Sequence, residues 1–121
     1  MRSGHHFRLL TIVVAVAALL TGCSSEPHKT DADLGLNAQQ ILGRRMFEQH
    51  CAECHFAYIS RNLRGPSLEA LFKKQYMPSG TPANDDRVRD VIVMGHGTMP
   101  AFGRVLSDQQ VDDLIAYLRT L

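Results

Sequence analysis

Cys51-Ala52-Glu53-Cys54-His55 sets two thiols three residues apart with an imidazole directly behind the second. Few pentapeptides restrict a chain so strongly. Thiols at that spacing can add to the two vinyl groups along one edge of a porphyrin, and the adjacent His then aims its ring at the iron. The pattern reads as covalent attachment of one haem c per chain through Cys51 and Cys54, with His55 as proximal iron ligand. Three rival uses are weaker. A thioredoxin-like dithiol wants a βαβ setting, and no alternating strand pattern of useful length is present. A zinc site wants four ligands, and beyond residue 22 only His28, His50 and His96 remain to join these three. A structural disulfide between Cys51 and Cys54 is permitted in an exported protein.

The third cysteine lies in a different setting. Arg2 and Arg8 precede the apolar run Leu9 to Leu20, which is shorter than the roughly 20 residues needed to span a hydrocarbon core. A charged start followed by a short apolar stretch fits a secretory signal peptide over residues 1–22. Leu20-Thr21-Gly22-Cys23 looks like a bacterial lipobox, which implies lipidation of Cys23 and cleavage before it. Two or more acyl chains would anchor stably where one binds only marginally. Residues 23–35 are polar, carry Pro27 and show no periodicity, and read as a lipidated cysteine followed by a flexible tether. The expected location is thus outside the cytoplasm, anchored to a bacterial membrane, with the domain facing the periplasm or cell exterior. Covalent haem attachment also takes place outside the cytoplasm in bacteria, so the two readings agree.

Residues 36–121 must then form the folded unit, and a domain this small commonly needs a staple such as a prosthetic group. The whole chain is 45% apolar and 21% charged, which excludes a disordered polyelectrolyte and a multi-span membrane protein. Its formal charge of +1 is too close to neutral for a nucleic-acid footprint over the whole surface. Removal of residues 1–22 leaves 11 basic and 12 acidic side chains.

The domain reads as all-α. Asn37 and Gln40 form a capping-box variant ahead of a helix running to about His50, with Leu36 and Ile41 placed as a hydrophobic staple. Gly43 lies inside that helix, four residues before Phe47, at a cost of about 1 kcal/mol against Ala that close approach of another helix would justify. Ser67 is expected to start a short helix ending at Lys73 and Lys74. Asn84 caps a further helix through Val88, Val91 and Ile92, stopped by Gly95. Ser107 and Gln110 form another capping box before Val111, Leu114, Ile115, Leu118 and Leu121, an amphipathic spacing. Between the last two helices lies the irregular segment Gly95 to Gly103, which can bring a side chain down onto iron. Met99 is its favoured distal ligand; His96, Met77 and an open site are the alternatives.

Taken together, Gly43 and Phe47, the Cys51–His55 motif, Gly65-Pro66-Ser67-Leu68, the Met99-Pro100-Ala101-Phe102 loop and Leu114-x-x-Tyr117-Leu118 make the chain resemble the class I, single-haem cytochromes c, as a bacterial lipoprotein-type member. The resemblance implies about four helices wrapped around one covalent haem, with the first and last crossing through Gly43, Phe47, Leu114 and Tyr117. It also implies that the Pro66 carbonyl accepts a hydrogen bond from Nδ1 of His55 and that Leu68 packs on the haem face. The expected activity is outer-sphere transfer of one electron at a time, with no catalytic residues. Expected partners are redox proteins: a membrane dehydrogenase, a cytochrome complex or a terminal oxidase. The protein is expected to be a monomer. A dedicated haem subunit of an oxidoreductase and a haem-based gas sensor are the rival functions. The lysine-rich docking face of mitochondrial-type carriers is not evident; Arg61 and Arg64 are candidates for a propionate or docking contact, though solvated charge is their commoner fate.

Overall fold

The structure, a computed structural model, describes residues 28–121. The segment expected to be a signal peptide, residues 1–22, and Cys23 lie outside the described residues. Among the described residues, three α-helices and one 3-10 turn follow in order: α1 (Ala38–His50), the turn Leu71–Lys73, α2 (Asp85–Met94) and α3 (Asp108–Leu118). No strand occurs among the described residues; Tyr76 with Pro82 and His96 with Met99 form only isolated bridges.

The helix starts follow from capping chemistry. Asn37 accepts from the Gln40 N–H while the Gln40 side chain accepts from the Asn37 N–H, and Ser107 and Gln110 repeat the arrangement at α3. Asn84 caps α2 through the Arg87 N–H, with Asp85 and Asp86 in the first turn where the helix dipole favours acids. Gly95 ends α2 at φ 77°, a left-handed position that a side chain would strain. Replacing Ser107 by Ala removes an N-cap acceptor, and the expected loss is about 1 kcal/mol in denaturant unfolding.

The first and last helices form the main contact. An added Cβ at Gly43 would lie 1.8 Å from the Asp113 carbonyl oxygen and 2.9 Å from Tyr117 Cβ, so α1 and α3 touch backbone to backbone there. Phe47 packs against Tyr117 at 5.6 Å between ring centroids. Val111, Leu114, Ile115, Tyr117, Leu118 and Leu121 are all buried, as the α3 spacing requires. Val88 and Ile92 add one face of α2, and Leu71, Met77 and Leu106 close the core from the loops. Leu42, half exposed, points away from this cluster. None of the described helices is long and apolar enough to cross a membrane.

One expected helix is corrected. Residues 67–74 do not form an α-helix: only Leu71–Lys73 makes a 3-10 turn, entered through Ala70 at φ 53°. Ser67 does not cap it. Its hydroxyl donates to the Ile59 carbonyl and accepts from the Glu69 N–H, which holds the preceding loop instead.

Part of the segment read as tether is packed on the domain. Thr30 and Asp33 cap each other in a turn, and Arg44, 8% exposed, donates to Asp31 Oδ1 (2.8 Å), to Glu48 Oε1 (2.9 Å) and to the Lys29 carbonyl (2.5 Å). The Lys29 ammonium lies 4.9 Å above the Tyr58 ring, and the Tyr58 hydroxyl is 2.6 Å from that of Tyr117. Polar contacts thus run from Lys29 to Arg44 on α1 and, separately through Tyr58, to Tyr117 on α3.

Candidate functional site

Helix α1 stops where the motif begins. Cys51 is its C-cap, with its N–H on the Phe47 carbonyl, and the Ala52 N–H shares that acceptor. The Cys51 carbonyl in turn accepts from the N–H groups of both Cys54 and His55, at 2.9 Å each. This tight turn puts both half-buried thiols at the end of one helix, and neither is in a disulfide. Burial, then the neighbouring Cys54, pushes the Cys51 thiol up to about 11. A dithiol built for exchange has the opposite shift, since the thiolate is its nucleophile.

His55 is buried, and its ring is held from two sides. Nδ1 is 2.7 Å from the Pro66 carbonyl oxygen, the geometry of a donated N–H, which leaves Nε2 open as an acceptor. Gly65 lies against the ring: a Cβ there would be 2.5 Å from Cε1 and 3.0 Å from each ring nitrogen. Three backbone bonds place this loop, from Gly65 N–H to Cys54 O (2.7 Å), Leu68 N–H to Phe56 O (2.9 Å) and Leu63 N–H to Gly65 O (3.0 Å). Leu68 is half-buried against the core, as are Phe72 and Phe102. Two free thiols, one turn apart, beside an imidazole with one nitrogen tied and one open, fit a haem attached through thioethers.

Of the distal candidates, Met99 is half-buried against the core and Met77 buried within it, while His96 is exposed. The Met99 backbone is fixed in a turn by paired bonds with His96, from Met99 N–H to His96 O (2.9 Å) and from His96 N–H to Met99 O (3.1 Å). Phe102 and Gly103 then tie the loop back to Ile92 and Val93 at the end of α2. Arg64 pairs with Glu53 on the surface, and Arg61 lies 5.1 Å from the Phe56 ring. Sequence reasoning passed over Arg44, Tyr58 and Asn62. Only Arg44 left a trace, as the i,i+4 partner of Glu48.

This geometry defines a class, the small helical proteins that hold haem by the c-type linkage. Comparison with known proteins makes it narrower. Residues 38–118 match the family described as cytochrome C oxidase, cbb3-type, subunit III. A cytochrome c6 from Picosynechococcus sp. is 27% identical over 114 residues, covering 92% of this chain and 91% of that protein. A cytochrome bc1 complex cytochrome c subunit from Mycobacterium leprae is 34% identical over 80 residues, 65% of this chain but only 25% of its own length. Cytochrome c-551 from Bacillus subtilis is 26% identical over 95 residues, 76% of this chain and 77% of that one. The chain belongs to the cytochrome c family. It carries haem c bound through Cys51 and Cys54, and it is an electron carrier, not an enzyme.

Proposed function

We propose that this protein is a membrane-tethered, single-haem cytochrome that passes electrons one at a time between respiratory or dehydrogenase partners, with a lipid on Cys23 and with His55 and Met99 as the side chains that would hold the haem iron. The observation that carries the reading is the His55 ring, tied at Nδ1 by Pro66 and resting on Gly65 directly after the two thiols. The bound haem supplies a one-electron couple. The chain's residues do the rest. Pro66 orients the imidazole and makes it a better donor. Met99 offers a thioether, which favours the reduced state more than a second imidazole would. Ile92, Leu68, Phe72 and Phe102 supply apolar surface that disfavours added positive charge. The lipid on Cys23 would confine the domain near membrane-bound partners and raise its effective concentration toward them. Two observations favour a second reading, a fixed haem subunit of a larger complex: the matched family's description and the bc1-subunit relative.

The test is visible spectroscopy on the haem-loaded domain, oxidised, reduced and reduced under CO. Sharp ferrous bands that ignore CO, with the weak far-red Met–ferric band, are expected. Met99→Ala is expected to lose that band and gain CO binding, and Met77→Ala to keep it. An immediate CO shift in the unaltered protein would overturn two-ligand coordination in favour of gas sensing. Stable co-purification with an oxidoreductase would favour the fixed subunit over a free carrier.

A further inference from the structure

The Pro66 carbonyl that meets His55 belongs to the same peptide group as the Ser67 N–H. That N–H is itself bonded, to the side-chain oxygen of Asn62 at 3.1 Å. Asn62 Oδ1, the Pro66–Ser67 peptide and His55 Nδ1 therefore form one continuous hydrogen-bond chain, with contacts of 3.1 and 2.7 Å. The direction of the chain is unambiguous, because a backbone N–H must face the amide's oxygen.

We infer that Asn62 is a positioning residue that tunes the electron affinity of the haem through this single peptide. The inference rests on His55 being the proximal ligand. An acceptor on the Ser67 N–H draws the proton outward and leaves more negative charge on the Pro66 oxygen, since bonds in a chain strengthen one another by roughly 10–30% each. A more negative Pro66 oxygen pulls harder on the Nδ1 proton. The imidazole then becomes a stronger donor, which stabilises the oxidised iron and lowers the potential. The peptide keeps its place without Asn62. Its flanks are held by the Ser67 hydroxyl on the Ile59 carbonyl (2.6 Å) and by the Leu68 N–H on the Phe56 carbonyl (2.9 Å). Polarisation can thus be varied separately from geometry.

The experiment uses the haem-loaded full chain with Asn62→Ala, Asn62→Asp and the control Leu63→Asp, which puts a charge on the neighbouring exposed residue. Potentials are measured at low and high salt, and the His55 Nδ1–H proton is followed by NMR in the ferrous state. Asn62→Ala is expected to raise the potential and move the proton upfield, by a modest amount because water can replace an exposed acceptor. Asn62→Asp, a charged and roughly twice as strong acceptor, is expected to do the reverse. Its potential shift should persist at high salt, where the through-space effect of Leu63→Asp is screened, and Leu63→Asp should leave the proton where it is. Equal shifts in the same direction for both Asn62 variants, or a proton unmoved in both, would overturn the relay while the ligand assignment stands. His55 ring protons that lack the haem's ring-current shift would overturn the ligand assignment and the relay with it.

Discussion

Replacing Gly43 by Ala is expected to lower the stability of the haem-loaded protein by about 3 kcal/mol, the upper end of what overpacking costs. The sign is what makes this informative. Inside an exposed helix the same change stabilises by about 1 kcal/mol. Here the new methyl would meet the Asp113 carbonyl oxygen at 1.8 Å, and that atom is backbone, which has no rotamer to move to. Relief requires sliding α1 off α3, which would also open the Phe47–Tyr117 contact. Denaturant unfolding followed by far-UV circular dichroism checks it. An unchanged or higher midpoint would show that the two helices do not meet backbone to backbone at this point. Against a total stability of typically 5–15 kcal/mol, the expected loss is a large share.

Gly65→Ala is expected to leave the haem attached and spoil its coordination. The thioethers at Cys51 and Cys54 do not depend on Gly65, so the covalent haem content should be normal. The added methyl would lie 2.5 Å from His55 Cε1, while the ring is tied on the next residue by the Pro66 carbonyl. Ring and loop cannot both stay. With His55 as the proposed iron ligand, displacing the ring would weaken its hold on the iron, and the reduced protein should broaden its bands and bind CO. Covalent haem content by pyridine haemochrome, set beside the CO difference spectrum, separates the two effects. A CO-insensitive spectrum matching the unaltered protein would sink the prediction.

Much of this was readable from local chemistry. Each of the described α-helices begins at a residue whose side chain accepts a backbone N–H three positions on, and two carry the reciprocal Gln, so Asn37, Asn84 and Ser107 mark their helix starts. Gly43 could be read as a contact because glycine inside a helix is costly without one. The Cys51–His55 turn is contiguous and was equally clear. The failures share one cause, which is that the deciding partner is distant or the competing bond local. Residues 67–74 have the apolar content of a short helix, but the Ser67 hydroxyl is committed to Ile59 and Ala70 adopts a left-handed conformation. The packing of Lys29 and Asp31 depends on Arg44, 15 and 13 residues away, with no periodicity to announce it. Asn62 has no signal at all, since one amide in a loop looks like any other until its backbone partner is known.

The Arg44 cluster also decides where mechanical load enters the molecule. Tension arriving from upstream of Lys29 reaches the Lys29 carbonyl and Asp31 first, and both are fastened to Arg44 in the middle of α1. From Arg44 to Cys51 is about 10 Å along the helix axis at 1.5 Å per residue. Load carried by the Arg44 bonds is therefore taken up in the middle of α1, about two turns ahead of the thiols. Were Cys23 lipidated as proposed, movement of the anchor would act on the middle of α1 ahead of the turn that bears the thiols.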